Sequence, residues 1–171
     1  MLRSCLAALI ALAAAAPLAA APVPPANPQI DYAGFRSLAG EVEAYRQTRL
    51  VDWAQFAAAA RRPRTLILDA RSAEAYRAGH IRGAVNLPFT DFTPESLAAV
   101  IGDKDRPILI YCNNNFSNNK APVETKAIRL ALNIQTFINL VGYGYANVRE
   151  LNEVVDFNDP KIGWVTTPVA T

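Results

Sequence analysis

Read for hydrophobic and polar positions, the chain alternates between two kinds of pattern. Short apolar runs without alternation occupy residues 65–69 and 107–112. Such runs predict strands buried on both faces, and residues 84–87 read as a further strand. Between them lie amphipathic stretches. Phe35, Leu38, Val42 and Tyr45 mark a helix over 32–47, and Asp52 is a plausible N-cap for a helix over 53–61 that buries Phe56. Ser72 caps a helix to about residue 78, and a short one lies around 96–100. Residues 49–51 and 136–140 complete the predicted strands. Pro122 suits the first turn of a helix running to about residue 132, with Glu124 near its positive end. Gly142 and Gly144 punctuate a turn before a short helix over 145–152, and residues 79–81 read as a turn.

Strands alternating with helices predict an α/β fold, a parallel sheet covered by helices on both faces. Sites in such sheets form beyond the carboxyl ends of the strands. Asp69 and Cys112 both stand at strand ends, so they can share one edge.

The first 22 residues break this rhythm. Met1-Leu2-Arg3 precedes an apolar run from Cys5 to Ala16, then Pro17 and the small residues Ala19-Ala20-Ala21. This reads as a secretory signal peptide over residues 1–21, too short to span a bilayer. Residues 22–30 form a Pro-rich linker, 31–48 a helical extension, and 153–171 a loosely structured tail with a turn at Asn158-Asp159-Pro160. The 51% apolar content is therefore inflated by the leader, and the remainder has an ordinary globular composition.

Charge adds mostly exclusions. A net +2 with 19% charged residues advertises no nucleic-acid surface. Two cysteines and one histidine exclude disulfide scaffolds, Cys-only zinc sites and schemes needing two imidazoles. Cleavage would discard Cys5 and leave Cys112 as a lone thiol in an exported protein. A cysteine where a strand yields to a loop can face backbone N–H groups and the positive end of the helix predicted at Pro122. Both lower a thiol pKa. The same position also suits a small apolar residue closing a buried strand.

The flanking residues carry a resemblance. Asp69-Ala70-Arg71, followed by Gly79-His80-Ile81-Arg82-Gly83-Ala84-Val85-Asn86-Leu87-Pro88 and a strand-ending Cys112, resembles the rhodanese-like superfamily over residues 49–152. Gly142-Tyr143-Gly144-Tyr145 looks like a variant of the glycine turn after the family's last strand. The resemblance implies a five-stranded parallel sheet flanked by helices and a nucleophilic Cys112 that carries a persulfide. It implies that Asp69 lies near the substrate, that Arg71 is held structurally, by Glu74 for instance, and that His80 orders its turn. No cofactor or metal is implied.

The loop departs from the family pattern. Asn113, Asn114, Asn115, Phe116, Ser117, Asn118, Asn119 and Lys120 make it long and amide-rich, with Lys120 its one cation. Asn amides offer neutral donors to a polar substrate. Residues 113–118 and Lys120 are therefore expected to bind substrate, with Phe116 as a pocket wall or a packing anchor. The Asn cluster also suits a solvated turn. Phosphatase chemistry needs an Arg six residues after the Cys to clamp phosphate, and Asn118 stands there. Asn115-Phe116-Ser117 spells a glycosylation acceptor whose glycan would block the loop, which fits export from a bacterium. The leading expectation is an exported, periplasmic sulfurtransferase. It would use a small sulfur donor and a thiol or cyanide acceptor, and it would have no nucleic-acid or membrane partner after leader cleavage. A non-catalytic binding module and a thiol redox sensor are the alternatives.

Overall fold

A computed structural model describes residues 27–167. The predicted leader and the first part of the linker lie outside the described residues. Asn27–Ile30 make a short turn closed by Ile30 N–H on Asn27 O, and residues from Tyr32 onward form a separate unit.

That unit is built on a five-stranded parallel sheet. Its strands are β1 (Leu50–Val51), β2 (Leu66–Asp69), β4 (Ala84–Asn86), β5 (Ile108–Tyr111) and β6 (Val148–Leu151), in the order β1-β6-β5-β2-β4. The helices are α1 (Tyr32–Gln47), α2 (Trp53–Ala60), α3 (Ala73–Ala78), α4 (Pro94–Ile101) and α5 (Leu132–Gly142). Side chains alternate across a strand. Leu66, Leu68, Ile108 and Ile110 therefore enter one core with Val42, Leu97, Phe137 and Leu140. Ile67, Leu109 and Tyr111 enter the opposite core with Trp53, Phe56, Phe116 and Leu151. Helices on both faces explain why β2 and β5 are apolar without alternation. Asp52 caps α2 and Thr93 caps α4, each through the N–H three residues on.

Two expected elements change identity. Residues 136–140, expected as a strand, lie within α5. Its buried residues are Asn133, Thr136, Phe137, Ile138 and Leu140, with polar side chains at two of the five positions. Those polar members hide the period. Residues 145–152, expected as a helix, contain β6. Val148 and Leu151 suggest a helical spacing, yet Glu150 between them is also buried, as in a strand covered on both sides. The Gly142–Gly144 turn thus follows a helix and precedes the last core strand.

The helix expected from Pro122 is absent. Residues 121–131 are extended and turning, with one 3-10 turn at Ile128–Leu130. Asparagine side chains hold the backbone groups that a helix would use. Asn113 donates to Glu124 O, Asn114 bonds both N–H and C=O of Lys126, and Asn119 accepts from Thr125 N–H.

The expected loose tail is packed through Thr167. Phe116 and Val155 form a parallel bridge. Strand β3 (His80–Ile81), expected as a turn, pairs antiparallel with β7 (Trp164–Val165). Trp164 lies flat against Gly79, where a Cβ would meet the indole carbons at 2.6 Å.

Candidate active site

Cys112 follows β5 at the carboxyl edge and is 1% exposed. Backbone N–H groups converge on its sulfur from two directions. Asn114 donates from the 3-10 turn Asn113–Asn115, and Leu132 and Asn133 donate from the first turn of α5. The helix terminus that faces the thiol is thus α5, not one at Pro122. Burial pushes the Cys112 thiol above its ordinary range. The N–H groups of Asn133, Asn114 and Leu132 oppose that rise, and the Glu150 carboxylate adds to it. The expectation of a lowered thiol pKa is therefore reversed, because desolvation outweighs the donors.

The Asn loop closes on its own chain. Asn115 is buried. Its Oδ1 accepts from Cys112 N–H at 2.9 Å and from Asn133 Nδ2 at 3.0 Å, while its Nδ2 donates to Leu151 O at 2.7 Å. Asn113 and Asn114 hold the 124–126 segment, and Asn118 donates to Asp156 at 2.7 Å. Ser117 N–H donates to Val155 O, and Phe116 N–H to Asn113 O. Phe116 is 2% exposed and packs edge-on against Tyr111 and Trp164, so it is an anchor. Lys120 Nζ lies 5.5 Å from the Phe157 ring centre. The expected substrate-binding amides of residues 114, 115 and 118 are thus engaged within the chain. Asn113 keeps one open group, a buried Oδ1 without a hydrogen-bond partner.

Asp69 is fully buried and does not face a substrate space. Arg71 Nε donates to its Oδ1 at 2.9 Å, Arg71 Nη2 to its Oδ2 at 2.6 Å, and Tyr111 OH to its Oδ2 at 2.5 Å. Arg71 is therefore held by Asp69, not by Glu74. It also donates to Gly79 O and Pro122 O, and lies over the Tyr111 and Trp164 rings. Burial opposes its charge, but the Asp69 carboxylate more than compensates and its pKa rises. Burial and the Asp69 charge push the Tyr111 hydroxyl well above its ordinary value, so it stays a donor. His80 stacks on Tyr76 at 3.8 Å, and its Nδ1 donates to Tyr76 O at 2.8 Å.

A cleft of about 450 Å³ opens between α3 and residues 121–126. Asn113, next to Cys112 in the chain, and Leu132, whose N–H acts on its sulfur, line the cleft. Glu74, Glu124, Lys126 and Ser72 supply further polar groups to its lining. Sequence reasoning missed Tyr111, Leu132, Asn133, Glu150 and Arg46. A charge inside an apolar run signals Glu150 once 148–151 is read as a strand.

A family model for the rhodanese-like domain matches residues 52–153, more than half of the chain. No curated protein sequence matches it. Among solved structures, the rhodanese-like domain of an Anabaena sp. protein is 19% identical, over 63% of this chain and 97% of that one, with a TM-score of 0.43. A Bacillus halodurans protein is 19% identical over 68% and 74%, with a TM-score of 0.42. EanB in complex with hercynine is 22% identical over 66% of this chain and 25% of that one, with a TM-score of 0.46. With the strand-ending cysteine and the parallel sheet already in place, the match over 52–153 makes the chain a member of the rhodanese-like domain family.

Proposed function

We propose that this domain transfers sulfane sulfur through a persulfide on Cys112. The observation that carries this reading is the convergence of three backbone N–H groups on one sulfur, from Asn114, Leu132 and Asn133. Donors fixed around a buried atom stabilise charge that develops there and need no reorganisation. Cys112 first loses its proton to water. Its thiolate attacks the outer sulfur of a donor persulfide, a new S–S bond forms, the donor's S–S bond breaks, and the donor thiolate leaves with the electron pair. An acceptor thiolate or cyanide then takes the outer sulfur and returns the electron pair to Cys112.

The cleft supports an organic donor over thiosulfate. Its lining holds two carboxylates, Glu74 and Glu124, against one ammonium, Lys126. Arg71, which also lines the cleft, is occupied by Asp69. Among the described residues lining it, a dianion has no free buried cation to meet. The leader-like residues 1–21 support export, with transfer occurring outside the cytoplasm.

The test is intact-mass and peptide analysis after exposure to cysteine persulfide, polysulfide or thiosulfate, followed by cyanide. The expected result is one added sulfur atom on Cys112 and its release as thiocyanate. If no donor loads the folded chain while the urea-unfolded chain is loaded, sulfur transfer is refuted. A second reading, a binding module without catalysis, is favoured by the depth of Cys112 and its raised thiol pKa. That reading requires Cys112→Ser to leave the biological phenotype intact.

A further inference from the structure

Arg46 lies on α1, ahead of the segment matched to the family. Its guanidinium nevertheless clamps Glu150 on β6, with Nε on Oε2 at 2.6 Å and Nη2 on Oε1 at 2.5 Å. The Glu150 side chain is 5% exposed and that of Arg46 24%. Oε1 also receives Asn133 Nδ2 at 3.3 Å. The same Nδ2 reaches Asn115 Oδ1 at 3.0 Å, and that oxygen accepts the Cys112 N–H. Asn133 also sends its own backbone N–H to the Cys112 sulfur. One connected set of polar groups thus runs from an exposed helix face to the thiol.

We infer that Arg46 is a positioning residue of the Cys112 site, acting through Glu150 and Asn133, so that α1 belongs to the functional unit. A carboxylate beside a sulfur that must become an anion is a liability unless a cation holds it. Bidentate capture by Arg46 draws the Glu150 charge toward α1 and fixes the oxygen that orients Asn133. The N–H groups acting on the sulfur, from Leu132 and Asn133 of α5 and Asn114 of the loop, are neutral. Glu150 brings a like charge to bear on the thiol, and Arg46 is its counter-ion.

The two partners of this pair should act in opposite directions on the thiol. Glu150→Gln keeps an acceptor for Asn133 and removes the like charge, so the thiolate forms more readily. Arg46→Met leaves the carboxylate uncompensated and makes the thiolate harder to form. A merely structural ion pair would move both variants the same way. This inference rests on Cys112 being the reacting group, as proposed above, but its test does not need sulfur transfer.

The experiment is a pH titration of thiolate ultraviolet absorbance in the full chain, read as the difference from Cys112→Ser. Glu150→Gln is expected to increase the thiolate fraction at a given pH below the midpoint by about threefold or more, and Arg46→Met to decrease it by a similar factor. Arg46→Lys, which keeps the charge but not the fork, should fall between Arg46→Met and the parent. Unchanged midpoints in Glu150→Gln and Arg46→Lys, or shifts of Glu150→Gln and Arg46→Met in one direction, overturn the inference. Opposite shifts without any sulfur on Cys112 would uphold it and refute only the transfer reaction. If Arg46→Met fails to fold, Glu150→Gln and Arg46→Lys still decide.

Discussion

Asp69→Asn tests the claim that Asp69 and Arg71 form an internal structural pair and do not bind substrate. Asp69 is 0% exposed and the Arg71 side chain 3%. The carboxylate accepts from Arg71 Nε, Nη2 and backbone N–H, and from Tyr111 OH. Asparagine keeps one acceptor oxygen and turns the other into a donor that faces donors. The guanidinium would then remain buried between the Tyr111 and Trp164 rings without a counter-charge. Removing one partner of a buried pair costs about 3–5 kcal/mol. That is a large share of the roughly 5–15 kcal/mol available to a domain. With a urea slope of about 2 kcal/mol per molar, the midpoint should fall by about 2 M. Urea unfolding followed by tryptophan fluorescence measures it, since Trp164 sits on the affected side. Replacing both partners, as Asp69→Leu with Arg71→Met, removes the stranded charge and should cost less than the two single changes summed. A midpoint for Asp69→Asn within ~0.5 M of the parent, or a double variant as costly as that sum, would refute the reasoning.

Two further outcomes follow from the same geometry. Gly79→Ala places a methyl group 2.6 Å from the Trp164 indole carbons, so β7 should detach from β3; a red-shifted emission and early proteolysis near residue 164 would report it, and an unchanged spectrum would contradict it. Burial, with Glu150 beside it, raises the Cys112 thiol. The folded state therefore holds its proton at a pH where the unfolded thiol, near 8.5, has released it. Stability from this source is complete below the unfolded value and is lost as pH climbs from there through the folded value. The urea midpoint should decline along that alkaline limb, and Cys112→Ser should flatten the decline.

The sequence was legible where apolar positions alone define an element. The strands at 66–69 and 108–111 and the capped helix after Asp52 are recoverable from hydrophobic runs and N-cap residues. Legibility fails over 121–152, for two reasons. Over 121–131 asparagine side chains take up the backbone groups that a helix would use, and over 132–152 polar side chains hold several core positions. Asn133 and Thr136 occupy the buried stripe of α5, and Glu150 occupies β6 because Arg46 reaches it across 104 positions. Local periodicity cannot register a polar residue that is apolar in effect. The site shows the same division. The place of Cys112 at a strand end was readable. The engagement of Asp69 by Arg71, and of the Asn amides by nearby backbone, depends on burial and on loop closure that residue types do not encode.

The walls around Cys112 differ in what holds them, and this bears on how a donor reaches the sulfur. At the back stand β5, β6 and α5, with Ile110, Leu140 and Val148 fully buried behind them. Displacing that wall would expose several core side chains, at roughly 1.5–3 kcal/mol each. At the front, Asn113 and Asn114 tie down residues 124–126 through three hydrogen bonds, between side chains that are half-buried and a segment that is exposed. Bonds of that kind contribute about 0.5–1.5 kcal/mol each, because water replaces them. The front wall is also the one that borders the cleft, and it carries the unpartnered Asn113 Oδ1. Access from the α3 side is therefore the less costly route. The long Asn-rich loop then closes over the sulfur with bonds weak enough to break, while the N–H groups of Leu132 and Asn133 stay fixed on the rigid side.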